Sequence, residues 1–240
     1  MEFGARRRAL VVFLIVAAAI TSTAVGTGDV AFHVHYALAC TSGHQCFDQL
    51  VSPSYALRIL KQASGDVWRL FRQTSADRKP LKAVTLTVVP QLDDGHAAST
   101  ASNGEIMISA SALLAAAPPG EIKSRFTGRL FREVGRLWGY DAQGHAKAAV
   151  VDGIADLVRL RAGYAPSNWV QPGQGWRWDQ KGSGVTARFF DYLEMERPGV
   201  IARLNKSLKS AAVPNDYFIN ITGKTTAKLW AEYKDAYSTA

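Results

Sequence analysis

The chain is poor in the residues that most often build a stapled fold or a metal centre. Of 240 residues, two are cysteine and five are histidine. Cys40 and Cys46 are close in sequence, so a bridge between them closes a short loop and shapes a turn more than it stabilises the chain. That disulfide is expected in an oxidising compartment; the alternative is two unpaired thiols. His33 and His35 share a strand face, with His44 near in sequence, but no partner at a fixed spacing completes a metal set. His96 and His145 fall in loops. Nucleophilic serine or cysteine schemes have no elbow motif and no histidine partner. Asp93-Asp94-Gly95 is too short for a calcium loop and reads as a turn. No internal repeat is visible.

Long apolar runs are also scarce. The single one spans residues 9–20, follows Arg6-Arg7-Arg8 and precedes the small residues Ser22-Thr23-Ala24. This is the pattern of a secretory signal peptide over residues 1–24, leaving a single domain over 25–240. The run is short for a membrane span; an uncleaved anchor is the alternative. The mature chain is therefore expected to be soluble and extracellular. Its 48% apolar content is enough for one core of ordinary size. Acidic residues are fewer than basic ones, 20 against 28, for a formal charge of +8. Cleavage after Ala24 removes three Arg and one Glu and lowers that charge from +8 to +6. Such a chain associates weakly with anionic matter, for example cell-wall polymers, without naming a partner. The sequons at Asn205 and Asn220 fit a secreted, glycosylated protein.

Periodicity predicts strands over 30–36, 81–89 and 104–109. It predicts helices over 53–71, from 121 through Leu137, and over 148–162, with a helical turn at 110–117. Further helices are expected over 185–196, 198–209 and 225–236. Residues 97–103 are small and polar and read as a loop. Residues 166–184, with three tryptophans, read as an ordered loop. Strands mixed with helices come first and helices alone follow, which is an α+β pattern.

The chemistry concentrates in Phe131-Arg132-Glu133-Val134-Gly135-Arg136 and, downstream, Asp152-Gly153-Ile154-Ala155-Asp156. With histidine at 132 and 136 and glutamate at 152 this would be a zinc-peptidase site. Histidines at i and i+4 on a helix reach one metal, and the glutamate between them acts as general base. A carboxylate at 156 would hold a ligand histidine from behind. Arginine has no lone pair to give a metal. Without a metal nothing lowers the pKa of the attacking water, so no cofactor is assigned; zinc is expected only if this ligand argument fails. Two arginines bring the same charge as the missing dication. They are expected to replace it as a cross-link, with paired N–H donors on Glu133, Asp152 and Asp156. The ordinary alternative is that Arg125, Arg129, Arg132 and Arg136 form one solvated helical stripe.

A longer run of residues carries a resemblance. It includes Ala76-Asp77-Arg78-Lys79, Gly104-Glu105-Ile106-Met107-Ile108-Ser109-Ala110, Phe126-Thr127-Gly128-Arg129-Leu130 and the run from Gly153 through Val170. It continues in Gln171-Pro172-Gly173-Gln174-Gly175, Trp178-Asp179-Gln180 and Gly223-Lys224-Thr225. Over essentially its whole mature length the chain resembles the plant basic secretory protein family, secreted zincin-like proteins often associated with defence. The resemblance implies a zincin-like α+β fold: a small mixed sheet with active-site helices, then a mainly helical C-terminal half. It implies family histidines at the positions of Arg132 and Arg136, a glutamate at Asp152, and a retained general-base position at Glu133. The chain departs at its ligand positions, so the expected function is a non-catalytic pseudo-metallopeptidase that acts by binding.

The strand over 104–109 is expected at the edge of the cleft, taking an extended peptide or protein segment by strand addition, with Glu105 and Met107 along it. Trp169 and Trp178 are expected to pack the loop, and Trp176 to offer an exposed contact. Two other functions compete: an active secreted peptidase with an atypical site, and a basic binder of anionic polymers or surfaces. Specific nucleic-acid binding is not expected, because aromatics do not alternate with the arginines of the helix.

Overall fold

Alternating β-branched residues build a four-stranded mixed sheet in the computed structural model of the chain. The structure describes residues 30–38, 46–116, 118–182 and 184–238. The leader expected over 1–24, Cys40 and His44 lie outside the described residues; Cys46 is disulfide-bonded. The strands are β1 (Ala31–Tyr36), β2 (Ala83–Val89), β3 (Ala98–Thr100) and β4 (Glu105–Ser109), in the order β1-β2-β4-β3. β1, β2 and β4 run parallel and β3 runs antiparallel to β4. Parallel neighbours need a crossover. Between β1 and β2 it is made by α1 (Phe47–Leu50) and α2 (Pro53–Leu70). Then follow α3 (Ala110–Ala116), α4 (Pro119–Trp138), α5 (Ala148–Arg161), α6 (Val185–Glu196), α7 (Val200–Ser207), α8 (Ile219–Thr222) and α9 (Thr226–Ala236). The chain is thus α+β, with a small mixed sheet and many helices.

Three expectations are corrected. Residues 97–103 do not form a plain loop: 98–100 are strand β3. Three small residues carry no periodic signal, and pairing of Ala98, Ser99 and Thr100 with Ile108, Met107 and Ile106 holds them extended. In consequence β4 is not an edge strand, because β2 and β3 flank it. The edge is β3. Glu105 and Met107 also point away from the helices. The paired residues Val34, Leu86 and Ile106 are buried on one face, while His33, Thr85 and Glu105, and His35, Thr87 and Met107, share the other. Asn205 is the third correction. It is 1% exposed, and its Oδ1 accepts the Tyr140 N–H at 2.8 Å. A glycan cannot be seated on a side chain so enclosed, whereas Asn220 is exposed.

The helix expected over 198–209 starts two residues later. Gly199, at φ +91°, turns the chain before Val200.

α2 and α4 cover the buried face of the sheet. Ile122, Phe126, Leu130, Val134 and Leu137 form the apolar stripe of α4, all fully buried or nearly so. Trp138 packs edge-on to Trp68 of α2 at 5.2 Å, and its Nε1–H donates to Ser64 Oγ at 3.2 Å. The opposite side of α4 meets α5. Gly135 lets them close: a Cβ there would lie 3.1 Å from the Ala155 Cα. Gly153 does the same for α5 against α6, where a Cβ would come within 2.4 Å of Thr186 Cγ2. A Gly153→Ala variant gains about 1 kcal/mol of helix propensity. The clash with a buried β-branched neighbour costs about 1–3 kcal/mol and outweighs that gain. The melting temperature should fall by several degrees; a rise would show that α5 and α6 separate freely.

In the C-terminal half, Asp216 ties α8 to α9. It accepts from the N–H groups of Phe218, Ile219 and Thr226, at 2.9, 3.1 and 2.8 Å, and from the Thr226 hydroxyl at 2.9 Å. Burial opposes its charge, but these donors prevail and hold its pKa below the ordinary carboxylate value. A depressed carboxylate stabilises the fold above its unfolded pKa, about 3.9, and that contribution is lost as pH falls through the folded value. Asp216→Asn should lower stability at neutral pH and flatten the loss of stability below about pH 4. Denaturant melts at pH 7 and pH 3 check this; equal losses at both would remove Asp216 as the anchor.

Candidate functional site: an arginine–carboxylate network between two helices

α4 carries Arg132, Glu133 and Arg136, and α5 carries Asp152 and Asp156. The i, i+4 spacing puts each pair along one helix face, and the close packing of α4 on α5 sets those faces together. Arg132 is the centre. Its Nε donates to Asp156 Oδ1 at 2.8 Å and its Nη2 to Asp152 Oδ1 at 2.8 Å. Its Nη1 donates to Glu133 Oε1 at 3.1 Å. All three nitrogens of one guanidinium thus face carboxylates. Arg136 Nη1 donates to the same Asp152 oxygen. From the sheet edge, the Thr100 hydroxyl donates to Glu133 Oε2 at 2.8 Å.

Burial grades the network. The Glu133 residue is 2% exposed. The Arg132 and Asp156 side chains are 18% and 22% exposed, and those of Arg136 and Asp152 38% and 40%. Burial opposes the charge on Arg132, yet Asp156, Glu133 and Asp152 outweigh it and hold its pKa above the ordinary arginine value. Burial raises the pKa of Asp156 and prevails over the charge and hydrogen bond of Arg132. On one ion pair these shifts favour opposite protonation states. Arginine decides the matter, since it does not lose its proton, and the contact to Nε keeps Asp156 ionised at neutral pH.

Two further arginines border the network without full neutralisation. Arg129 Nη1 is 3.9 Å from Glu133 Oε1, outside hydrogen-bond reach. Burial, aided by Arg132 and opposed by Glu133, pushes its pKa down. Arg159 donates from Nε to the Tyr164 carbonyl at 2.8 Å, not to a carboxylate. Burial first, and then Arg129, push its pKa down to about 10. Arg125, by contrast, pairs with Glu121 at 3.1 Å on the surface. The four α4 arginines are therefore not one solvated stripe, because Arg132 turns inward.

The site brings together Arg132, Glu133, Arg136, Asp152 and Asp156. It does not bring in Glu105 or Met107. Trp176 is 74% exposed in the loop between α5 and α6. Its ring meets its own neighbour Arg177 at 5.1 Å. Trp169 lies under Gly184, where a Cβ would be 2.4 Å from the indole, and Trp178 packs edge-on to Tyr217. His33 and His35 sit on the open sheet face. His96 pairs with Asp94 at 2.9 Å, and His145 Nδ1 lies 3.0 Å from the Ala142 carbonyl oxygen. Thr100 and Arg159 were not singled out from sequence. Arg159 lies in the last turn of α5, three residues after Asp156, and that i, i+3 spacing could have flagged it.

A family model described as peptidase of plants and bacteria matches residues 27–233. The chain belongs to that family, the plant basic secretory proteins. No curated protein and no solved structure matches the chain. The family's activity implies a metal, and the donor set can be tested against one. Zinc takes neutral histidine, thiolate or free carboxylate oxygens. Positions 132 and 136 offer guanidinium groups, and Glu133, Asp152 and Asp156 are engaged by arginine N–H donors. These residues do not fit a zinc ion, and no hydrolytic step is derived through one.

The same geometry makes Arg132 a structural element. Arg132→Ala would take one donor from each of Glu133, Asp152 and Asp156 and leave Glu133 with the Thr100 hydroxyl alone. Breaking so enclosed a network costs about 3 kcal/mol, or about 9 °C in a chain of this size. Arg136 and Asp152 are partly solvated, so Arg136→Ala should cost less than about 1 kcal/mol. Thermal melts of both variants check this order, and equal, negligible changes would remove the cross-link.

Proposed function

We propose that this protein is a secreted, zincin-like pseudo-metallopeptidase that acts by binding an extended peptide segment rather than cutting it. The observation that carries the reading is Arg132: every nitrogen of its guanidinium meets a carboxylate at the position where the family motif has its first histidine. Glu133, at the general-base position, accepts from Arg132 and Thr100, so it is held and not poised against a water. The edge strand β3 lies beside α4, joined through Thr100. An extended peptide added to that edge would run beside α4, near Arg129, which with Arg159 is the least neutralised of the arginines around the network. An acidic segment is favoured there, and the binding should weaken with salt. Secretion rests on the charged and apolar leader pattern, and a defence-related role on family kinship alone.

Two other readings are weaker. An active peptidase would need an arrangement of donors that the arginine network does not supply. A general binder of anionic surfaces is less favoured because Arg132, Arg136 and Arg125 already hold carboxylates.

The test is metal content and casein turnover of the purified mature protein after dialysis against trace zinc. The comparison is the variant Arg132→His/Arg136→His/Asp152→Glu. Native protein without stoichiometric zinc or turnover, beside a variant that takes up one zinc, is the expected result. Stoichiometric zinc in the native chain, with turnover lost in Glu133→Gln, would establish an enzyme instead.

A further inference from the structure

A cavity of about 240 Å³ opens where the end of α2 meets α7. It shares no residue with the arginine–carboxylate network. Phe71, Ala202 and the ring of Tyr140 make its apolar surface, and Phe71 and Ala202 are themselves buried. Its rim is cationic. Arg203, Lys206 and Lys209 recur at three-residue intervals along one side of α7 and just beyond, and Arg72 faces them from the end of α2. One carboxylate, Asp77, lines the cavity with them. Asp77 is already engaged: Thr74 donates to its Oδ2 from the hydroxyl at 2.7 Å and from the backbone N–H at 3.3 Å. Among the described residues, none of the four cations forms a close ion pair, although Lys206 and Lys209 lie near enough to Asp77 to add to the Thr74 bonds that hold its pKa below the ordinary carboxylate value.

Two details separate this place from an ordinary basic surface. Arg72 sits at φ +51°, the left-handed position that ends α2. The closing bonds run from Gln73 N–H to Trp68 O at 2.9 Å and from Arg72 N–H to Arg69 O at 3.0 Å. Glycine is the unstrained choice at that position. The strained residue is an arginine whose guanidinium lies on Gly199, where a Cβ would come within 2.6 Å of Arg72 Cζ. Gln73, at the cavity wall, has its Oε1 buried with no hydrogen-bond partner.

We propose that this cavity is a second binding site, for a small amphiphilic anion with a compact apolar body and one carboxylate, sulfate or phosphate group. The apolar surface takes the body, and the rim takes the charge. The volume lies below the range of about 300–1,000 Å³ common for drug-sized ligands, so the body is about two fused rings in size. An anionic polymer would use the rim and leave the apolar surface empty. The site is independent of the α4–α5 reading and stands or falls without it.

The test uses 1-anilinonaphthalene-8-sulfonate as the probe, titrated by fluorescence against the intact protein at low ionic strength. One saturable site per chain is expected. Naphthalene-2-sulfonate should displace the probe, whereas neutral 2-naphthylmethanol and inorganic sulfate at the same concentration should not. Arg203 and Lys206 are exposed, so Arg203→Glu/Lys206→Glu should fold with an unchanged circular dichroism spectrum. Reversing both charges should weaken the probe about tenfold or more. Arg125→Gln, on the surface of α4, should leave its affinity unchanged. Absence of a saturable site, equal affinity in the rim variant, or displacement by sulfate alone would each overturn the proposal.

Discussion

One guanidinium held among three carboxylates joins the two helices at the centre of this fold. Arg132 reaches Asp152 and Asp156 only because α4 and α5 lie close, and they lie close because Gly135 has no side chain. Glu133 can be buried to 2% exposure only because Arg132 and Thr100 supply its donors. Thr100 is in place because β3 pairs with β4. The sheet edge, α4 and α5 therefore meet at one carboxylate, and none of the three can move without leaving a buried charge unanswered.

Much of this was legible in sequence where one period dominates. β1, β2 and β4 alternate, α4 has an unbroken apolar stripe, and α6 falls at 185–196 as its pattern predicts. Gly199 and Gly223 mark ends that periodicity alone blurs. β3 was not legible, since Ala98, Ser99 and Thr100 have neither β-branched density nor an apolar face, and only pairing extends them. That omission placed the sheet edge on β4 and drew Glu105 and Met107 into the cleft. The sequon at Asn205 misled for a related reason. A three-residue motif says nothing of burial, and here the asparagine side chain caps the backbone N–H of Tyr140. The residues of the network were legible as a motif with altered letters; the direction in which each arginine points was not.

A dication and a pair of arginines bring equal charge but different chemistry. A metal ion concentrates its charge at a point with open positions, where a water or a carbonyl can be polarised. Guanidinium spreads its charge over a planar fork and spends it on directional N–H bonds. At Arg132 three of the five N–H donors end on Glu133, Asp152 and Asp156, one from each nitrogen. On the proposed reading, the exchange keeps the electrostatic reason for a carboxylate cluster to lie between two helices and removes the reason for it to be reactive. A carboxylate cluster left without any cation at that depth would face mutual repulsion and desolvation together.

The basic charge of the chain is therefore not uniform in what it can do. On α4 and α5 it is largely consumed internally, and what is left over, at Arg129 and Arg159, sits beside acidic groups that moderate it. On α7 the cations face an apolar hollow with one carboxylate, which Thr74 already occupies. Equal numbers of arginines and lysines can produce opposite outcomes, because the decisive quantity is the number of acceptors within reach of each donor. Where acceptors are built in, the charge becomes structure. Where they are missing and a hollow adjoins, the unspent charge is available to something from outside.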